Sequence, residues 1–123
     1  MSTHKSRILL ADDDPKLRTL VQLSLGNHFT ILEASDGQEA LDVARAQRPD
    51  LILLDVTMPV LNGLDVCKEI KQDPATRDII VVMLTAKNSP DEVSRAIELG
   101  ADDYITKPFS PRMLLDRLME LLS

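Results

Sequence analysis

The sequence predicts an α/β fold, a doubly wound (βα)5 arrangement around a five-stranded parallel sheet. Three observations predict it. Strand-like runs begin at residues 7, 29, 50, 79 and 102, and a helical pattern follows each one. The central run, Leu51-Ile52-Leu53-Leu54, has no polar face, which suits a strand covered on both sides. The runs end on Asp12-Asp13-Asp14, Ser35-Asp36, Asp55, Thr85 and Lys107. In a parallel sheet these ends share one edge, where open α/β sheets bind ligands. Repeated strand–helix units of this kind imply right-handed crossovers.

Residues 7–11 read as a short buried strand. Asp14-Pro15 starts a helix, with Asp as N-cap and Pro at the first helical position. Leu17, Leu20, Val21, Ser24 and Leu25 keep helical spacing until Gly26-Asn27. Residues 29–34 suit a second strand, and Ser35-Asp36-Gly37 opens a helix with Ala40, Leu41, Val43 and Ala44 inward. The third strand runs through Leu51–Leu54 to Asp55, and Met58-Pro59 and Asn62-Gly63 force a loop after it. Val66, Cys67 and Ile70 make one face of a third helix, closed by Asp73-Pro74. Residues 79–84 form a strongly β-prone run that ends on Thr85-Ala86. Ser89-Pro90 with Asp91-Glu92 starts a fourth helix carrying Val93, Ala96 and Ile97. Residues 102–106 read as a weaker strand before Lys107-Pro108-Phe109. Ser110-Pro111 then starts a last helix with Met113, Leu114, Leu115, Leu118, Leu121 and Leu122 mostly inward. The whole of residues 1–123 reads as one domain, with a core of about 7–122.

Composition narrows the function. The net charge of -6 argues against nucleic-acid binding by these residues, because phosphate backbones repel it. With no Trp, one Tyr and two Phe there is little to stack a base or a flavin on. One cysteine, Cys67, excludes an internal disulfide and reads as a small core residue. The longest apolar run, Ile79 to Leu84, is far too short to cross a membrane, and a cytoplasmic protein is the expected reading.

The strand ends carry the chemistry. With strand order 2-1-3-4-5, strands one and three are neighbours, so Asp12, Asp13 and Asp55 converge. Two carboxylates about 4 Å apart repel by roughly 4 kcal/mol at an effective dielectric near 20. Either some protonate or a cation sits among them. An all-oxygen site of this kind suits Mg²⁺. Ionised Asp55 can then act as a nucleophile toward phosphorus and form an aspartyl phosphate. Lys107 offsets charge on the phosphoryl oxygens, and the Thr85 hydroxyl donates to one of them.

These residues give the chain a resemblance. Asp12-Asp13, Asp55, Thr85-Ala86 and Lys107-Pro108-Phe109, in that order and spacing, resemble the receiver domain of bacterial two-component response regulators over essentially residues 7–122. The resemblance implies the flavodoxin-like receiver fold, and phosphotransfer from a histidine kinase or a histidine phosphotransfer protein with Mg²⁺ or Mn²⁺. It makes Asp55 the phosphoacceptor. Asp13 and Asp55 become side-chain metal ligands, the Thr57 backbone carbonyl a third, and Asp12 a ligand through a bound water. It makes Lys107 the phosphate-pairing lysine, with a cis bond to Pro108, and Thr85 with Tyr104 the switch pair. Thr57 and Lys87 stand at the positions that tune phosphoryl lifetime. Neither is an evident base, so slow hydrolysis is expected. Phosphorylation would alter the surface of the fourth helix, fifth strand and fifth helix toward a downstream protein or effector domain. Dimerisation through that face is left open, because Arg95, Asp103 and Arg117 match part of the family's charge network while Met113 does not.

Plainer readings stand beside these. Asp14 reads as a cap, Asp102 and Asp103 as surface charges, and His4 and His28 as exposed side chains. A dehalogenase-type Mg²⁺ phosphatase also uses an aspartyl nucleophile, but it wants a second Asp where Thr57 stands. A nucleotide or flavin module needs a glycine-rich phosphate loop where this chain has Asp12-Asp13-Asp14. A phosphorylation-independent interaction module would not need this set of residues.

Overall fold

The computed structural model describes residues 5–86 and 89–123. Strands and helices alternate as β1 (Arg7–Ala11), α1 (Pro15–Leu25), β2 (Thr30–Ala34), α2 (Gly37–Gln47), β3 (Leu51–Asp55), α3 (Gly63–Gln72), β4 (Ile80–Ala86), α4 (Pro90–Glu98), β5 (Asp103–Lys107) and α5 (Pro111–Leu122). The five strands form one parallel sheet of order β2-β1-β3-β4-β5, as the sequence predicts.

Strand side chains alternate between two cores, as the two-residue period of a strand requires. Leu9, Ile52, Leu54, Val81 and Met83 pack with Ala40, Leu41, Val66, Cys67, Ile70 and Ala96, from α2, α3 and α4. Ile8, Leu10, Leu51, Leu53, Val82, Leu84 and Ile105 pack with Val21, Leu25, Leu114 and Leu118, from α1 and α5. β3 is buried along its whole length. This explains why its sequence shows no polar face. Each fully buried Leu or Ile contributes roughly 1.5–3 kcal/mol of apolar transfer.

The helix starts follow their caps. Asp14, Asp36, Asn62 and Ser110 each accept a backbone N–H of the following turn. Asp14 is therefore a cap, as read from the sequence. Ser89 makes no such bond at α4.

Several boundaries and faces differ from the sequence reading. β2 starts at Thr30, because Phe29 turns into the α1/α5 core before the ladder begins. β4 starts at Ile80 and runs on through Ala86, because pairing with β5 continues through Thr85–Thr106 and Ala86–Lys107. β5 correspondingly spans Asp103–Lys107. Leu20, Ile97 and Met113 are exposed rather than inward, since α1, α4 and α5 bury narrower stripes than the periodicity suggests. Asp102 and Asp103 are not idle surface charges. Asp102 accepts the Val81 N–H and pairs with Lys71, and Asp103 pairs with Arg117. Cys67 is a buried core residue, and burial pushes its thiol up to about 11. His28 is exposed, and His4 lies outside the described residues. No helix among the described residues is long and apolar enough to cross a membrane.

Candidate functional site

Period-two alternation sets the site. Leu10, Leu53 and Ile105 all point into the α1/α5 core. Two residues further along the same strands stand Asp12, Asp55 and Lys107. They project from the same side of the sheet, just where the core ends. The fit is close because β1 pairs with β3, and β3 with β4, in continuous register.

Asp12 is fully buried and fully engaged. Its Oδ2 accepts Lys107 Nζ at 2.8 Å, and its Oδ1 accepts the Asp14 N–H at 2.9 Å. Its backbone carbonyl accepts Arg18 Nη1 at 2.6 Å, and Arg18 is held in turn by Glu33 on β2. Asp55 is buried, with Lys107 Nζ 3.3 Å from Oδ1 and the Thr57 N–H donating to the same oxygen at 3.4 Å. Asp13 is exposed. Carboxylate oxygens of Asp12, Asp13 and Asp55 all lie within 4.8 Å of one another.

Burial pushes the Asp55 carboxyl up to about 6, and the Asp12 charge pushes the same way. Lys107 opposes both. Burial would pull Lys107 down, but its bonds to Asp12 and Asp55 outweigh this and hold it above the usual ammonium range. The donor set is oxygen only, with one exposed member and no Cys or His. Among the described residues, three carboxylates stand against one paired lysine, which leaves excess negative charge. That combination fits a hard divalent cation such as Mg²⁺, with coordination positions left for water or substrate oxygen.

The loop from Val56 to Asn62 is pinned to this site. A Cβ on Gly63 would sit 1.9 Å from the Asp55 carbonyl oxygen, so only glycine lets α3 start against the end of β3. The sequence reading took Asn62-Gly63 for a turn and did not see this close approach. Arg18 was missed as well, and its only signal was a basic residue one helical turn from Asp14.

The residues form two depressions rather than one. A cleft of about 600 Å³ is lined by Asp13, Asp55, Thr57, Lys107, Ala86 and Glu92, with Leu17, Leu20 and Phe109 on its apolar side. Thr85 and Tyr104 line a second hollow of about 400 Å³ together with Ala86. Thr85 is buried, and its Oγ1 has no hydrogen-bond partner among the described residues. Tyr104 is exposed. The Lys107–Pro108 bond is cis, as the resemblance implied. Lys87, expected to tune phosphoryl lifetime, lies outside the described residues.

Known proteins share this sequence pattern and fold. The family model described as response regulator receiver domain matches residues 8–119. The chain is 44% identical over 117 residues to the alkaline phosphatase synthesis transcriptional regulatory protein PhoP of Bacillus subtilis, covering 94% of this chain and 48% of that one. The chain spans about half the length of the curated relatives it matches. Among solved structures, chemotaxis response regulator CheY4 of Vibrio cholerae superposes with a TM-score of 0.89 at 31% identity, covering 95% of this chain and 98% of CheY4. The BeF3-activated receiver domain of DrrB, a Thermotoga maritima protein, superposes with a TM-score of 0.86 at 30% identity, covering 97% and 98%. The chain therefore belongs to the family of response regulator receiver domains, signalling modules of two-component systems.

Proposed function

We propose that this chain accepts a phosphoryl group on Asp55 from a histidine kinase or a histidine phosphotransfer protein. The observation that carries the proposal is that Asp55 lines an open cleft with its carboxylate beside Lys107 Nζ and within 4.8 Å of the Asp12 and Asp13 carboxylates. An Asp55 oxygen attacks phosphorus, the P–N bond of the donor breaks, and the leaving imidazole takes up a proton. Lys107 offsets charge on the transferred oxygens, and Asp12 holds Lys107 in place. Asp13, Asp55 and the Thr57 carbonyl would hold Mg²⁺ or Mn²⁺, with Asp12 acting through a water. The cation supplies charge neutralisation to the transferring group. The domain thereby assists its own phosphorylation and dephosphorylation, and it is not an enzyme acting on a separate substrate.

The Thr85 hydroxyl, without a partner among the described residues, supports its role as the switch donor, since a phosphoryl oxygen would give it one. Tyr104 borders the hollow beside Thr85 and turns inward in the activated state. The surface of α4, β5 and α5 then changes its affinity for a downstream protein or effector domain, as a population shift. Thr57 and Lys87 offer no base to activate water, so the phosphoryl group is long-lived. Residues 7–122 act as the receiver unit. The net charge of -6 supports signalling without nucleic-acid contact by these residues.

The test is incubation with phosphoramidate, a minimal P–N donor. Phosphorylation that requires Mg²⁺ and stops on chelation supports the proposal. Equal labelling with and without the cation opposes it.

A further inference from the structure

Ala86 is the residue common to both depressions. In the sheet it stands opposite Lys107, two residues beyond the Leu84 that pairs with Asp55. Its N–H donates to Glu92 Oε1 at 3.3 Å. Glu92 sits at the third position of α4, where a glutamate ordinarily folds back onto the N-cap backbone. Here the carboxylate reaches past the cap to the end of β4 and lines the cleft that holds Asp55 and Lys107.

α4 is loosely held. Ala96 is its one buried residue, and Ser89 makes no side-chain capping bond. The Glu92–Ala86 bond therefore ties the first turn of a weakly anchored helix to the strand end beside the phosphoacceptor. A helix with so little buried surface shifts at low cost.

We propose that Glu92 is an internal competitor of the phosphoryl group for the Ala86 N–H. In the unmodified protein the Glu92 carboxylate fills that donor and keeps α4 close to β4. Phosphorylation of Asp55 places further negative charge and strong acceptor oxygens in the same cleft. Like charge expels Glu92, and a phosphoryl oxygen takes the amide. The first turn of α4 is then released, next to the hollow shared by Thr85 and Tyr104. Glu92 is thus a positioning residue that sets the threshold of the switch. This inference rests on Asp55 being the phosphoacceptor.

The test is titration of wild type, Glu92→Gln and Glu92→Ala with beryllofluoride in the presence of Mg²⁺, followed by the amide NMR signals of Ala86, Ile97 and Tyr104. Beryllofluoride should bind Glu92→Ala roughly three- to tenfold more tightly than wild type, the scale of one competing hydrogen bond. Glu92→Gln, which keeps an acceptor but loses the charge, should fall between. The free Glu92→Ala protein should show a displaced and faster-exchanging Ala86 amide. Equal or weaker beryllofluoride affinity in both variants, or an Ala86 amide indifferent to Glu92→Ala, would overturn the inference. Failure of the wild type itself to bind would overturn the phosphoacceptor reading and this inference together, and it is recognised without any variant.

Discussion

Lys107 Nζ lies 2.8 Å from Oδ2 of the fully buried Asp12, and it spans from there to Asp55. It joins the outer strand β5 to β1 and β3 and is, among the described residues, the cation paired with the cluster. Lys107→Ala would leave Asp12 buried beside a second carboxylate without its side-chain ion-pair partner. The expected loss is about 1–3 kcal/mol, below the figure for a sealed ion pair because the lysine is partly open to solvent. Urea unfolding in chelator measures it, and millimolar Mg²⁺ should recover much of the loss. An unchanged unfolding midpoint would show that Asp12 is satisfied by other means.

Asp55 gives the fold a pH signature. Its carboxyl is raised from 3.8 to about 6 by burial and by the Asp12 charge. The native state therefore binds this proton more tightly than the unfolded chain does. The contribution to stability is full below about pH 4 and is lost as pH rises through about 6. Without divalent cation, Asp55→Asn should be more stable than wild type near neutral pH, and the difference should shrink toward pH 4. Thermal melts of both proteins across this range read it directly. A difference that grows on acidification would contradict the sign.

Val60, five residues beyond Asp55, carries backbone strain. It has φ 71 in the loop after β3 and is 78% exposed. A β-branched residue in this region costs of order 1 kcal/mol or more, and asparagine tolerates it better. Val60→Asn should therefore stabilise the protein by about 0.5–1 kcal/mol, read as a higher melting temperature. A fall in melting temperature would mean that the Val60 side chain makes contacts that outweigh the strain.

Much of this site was legible because Asp12, Asp55 and Thr85 directly follow apolar runs, and Lys107 closes the weaker fifth strand. Asp12, Asp55 and Lys107 each stand two residues beyond a core side chain, and counting along a strand finds them. Sequence order cannot show where a long side chain reaches. Arg18 bonds the Asp12 carbonyl, and Glu92 bonds Ala86 rather than its own cap. Both contacts depend on how helices sit over the sheet. The division into two depressions was hidden for a related reason. Thr85 follows Met83 into the opposite core, whereas Asp55 follows Leu53. The exposure of Met113 and Ile97 reflects the sheet's edge, where a helix has less to pack against than its periodicity suggests.

The measurement that bears most directly on the central proposal is intact-mass and peptide mass spectrometry after incubation with acetyl phosphate and Mg²⁺. Wild type should gain a single phosphoryl group, located on the peptide containing Asp55, and Asp55→Asn should gain none. No adduct on the wild type, or an equal adduct on Asp55→Asn, would contradict the account.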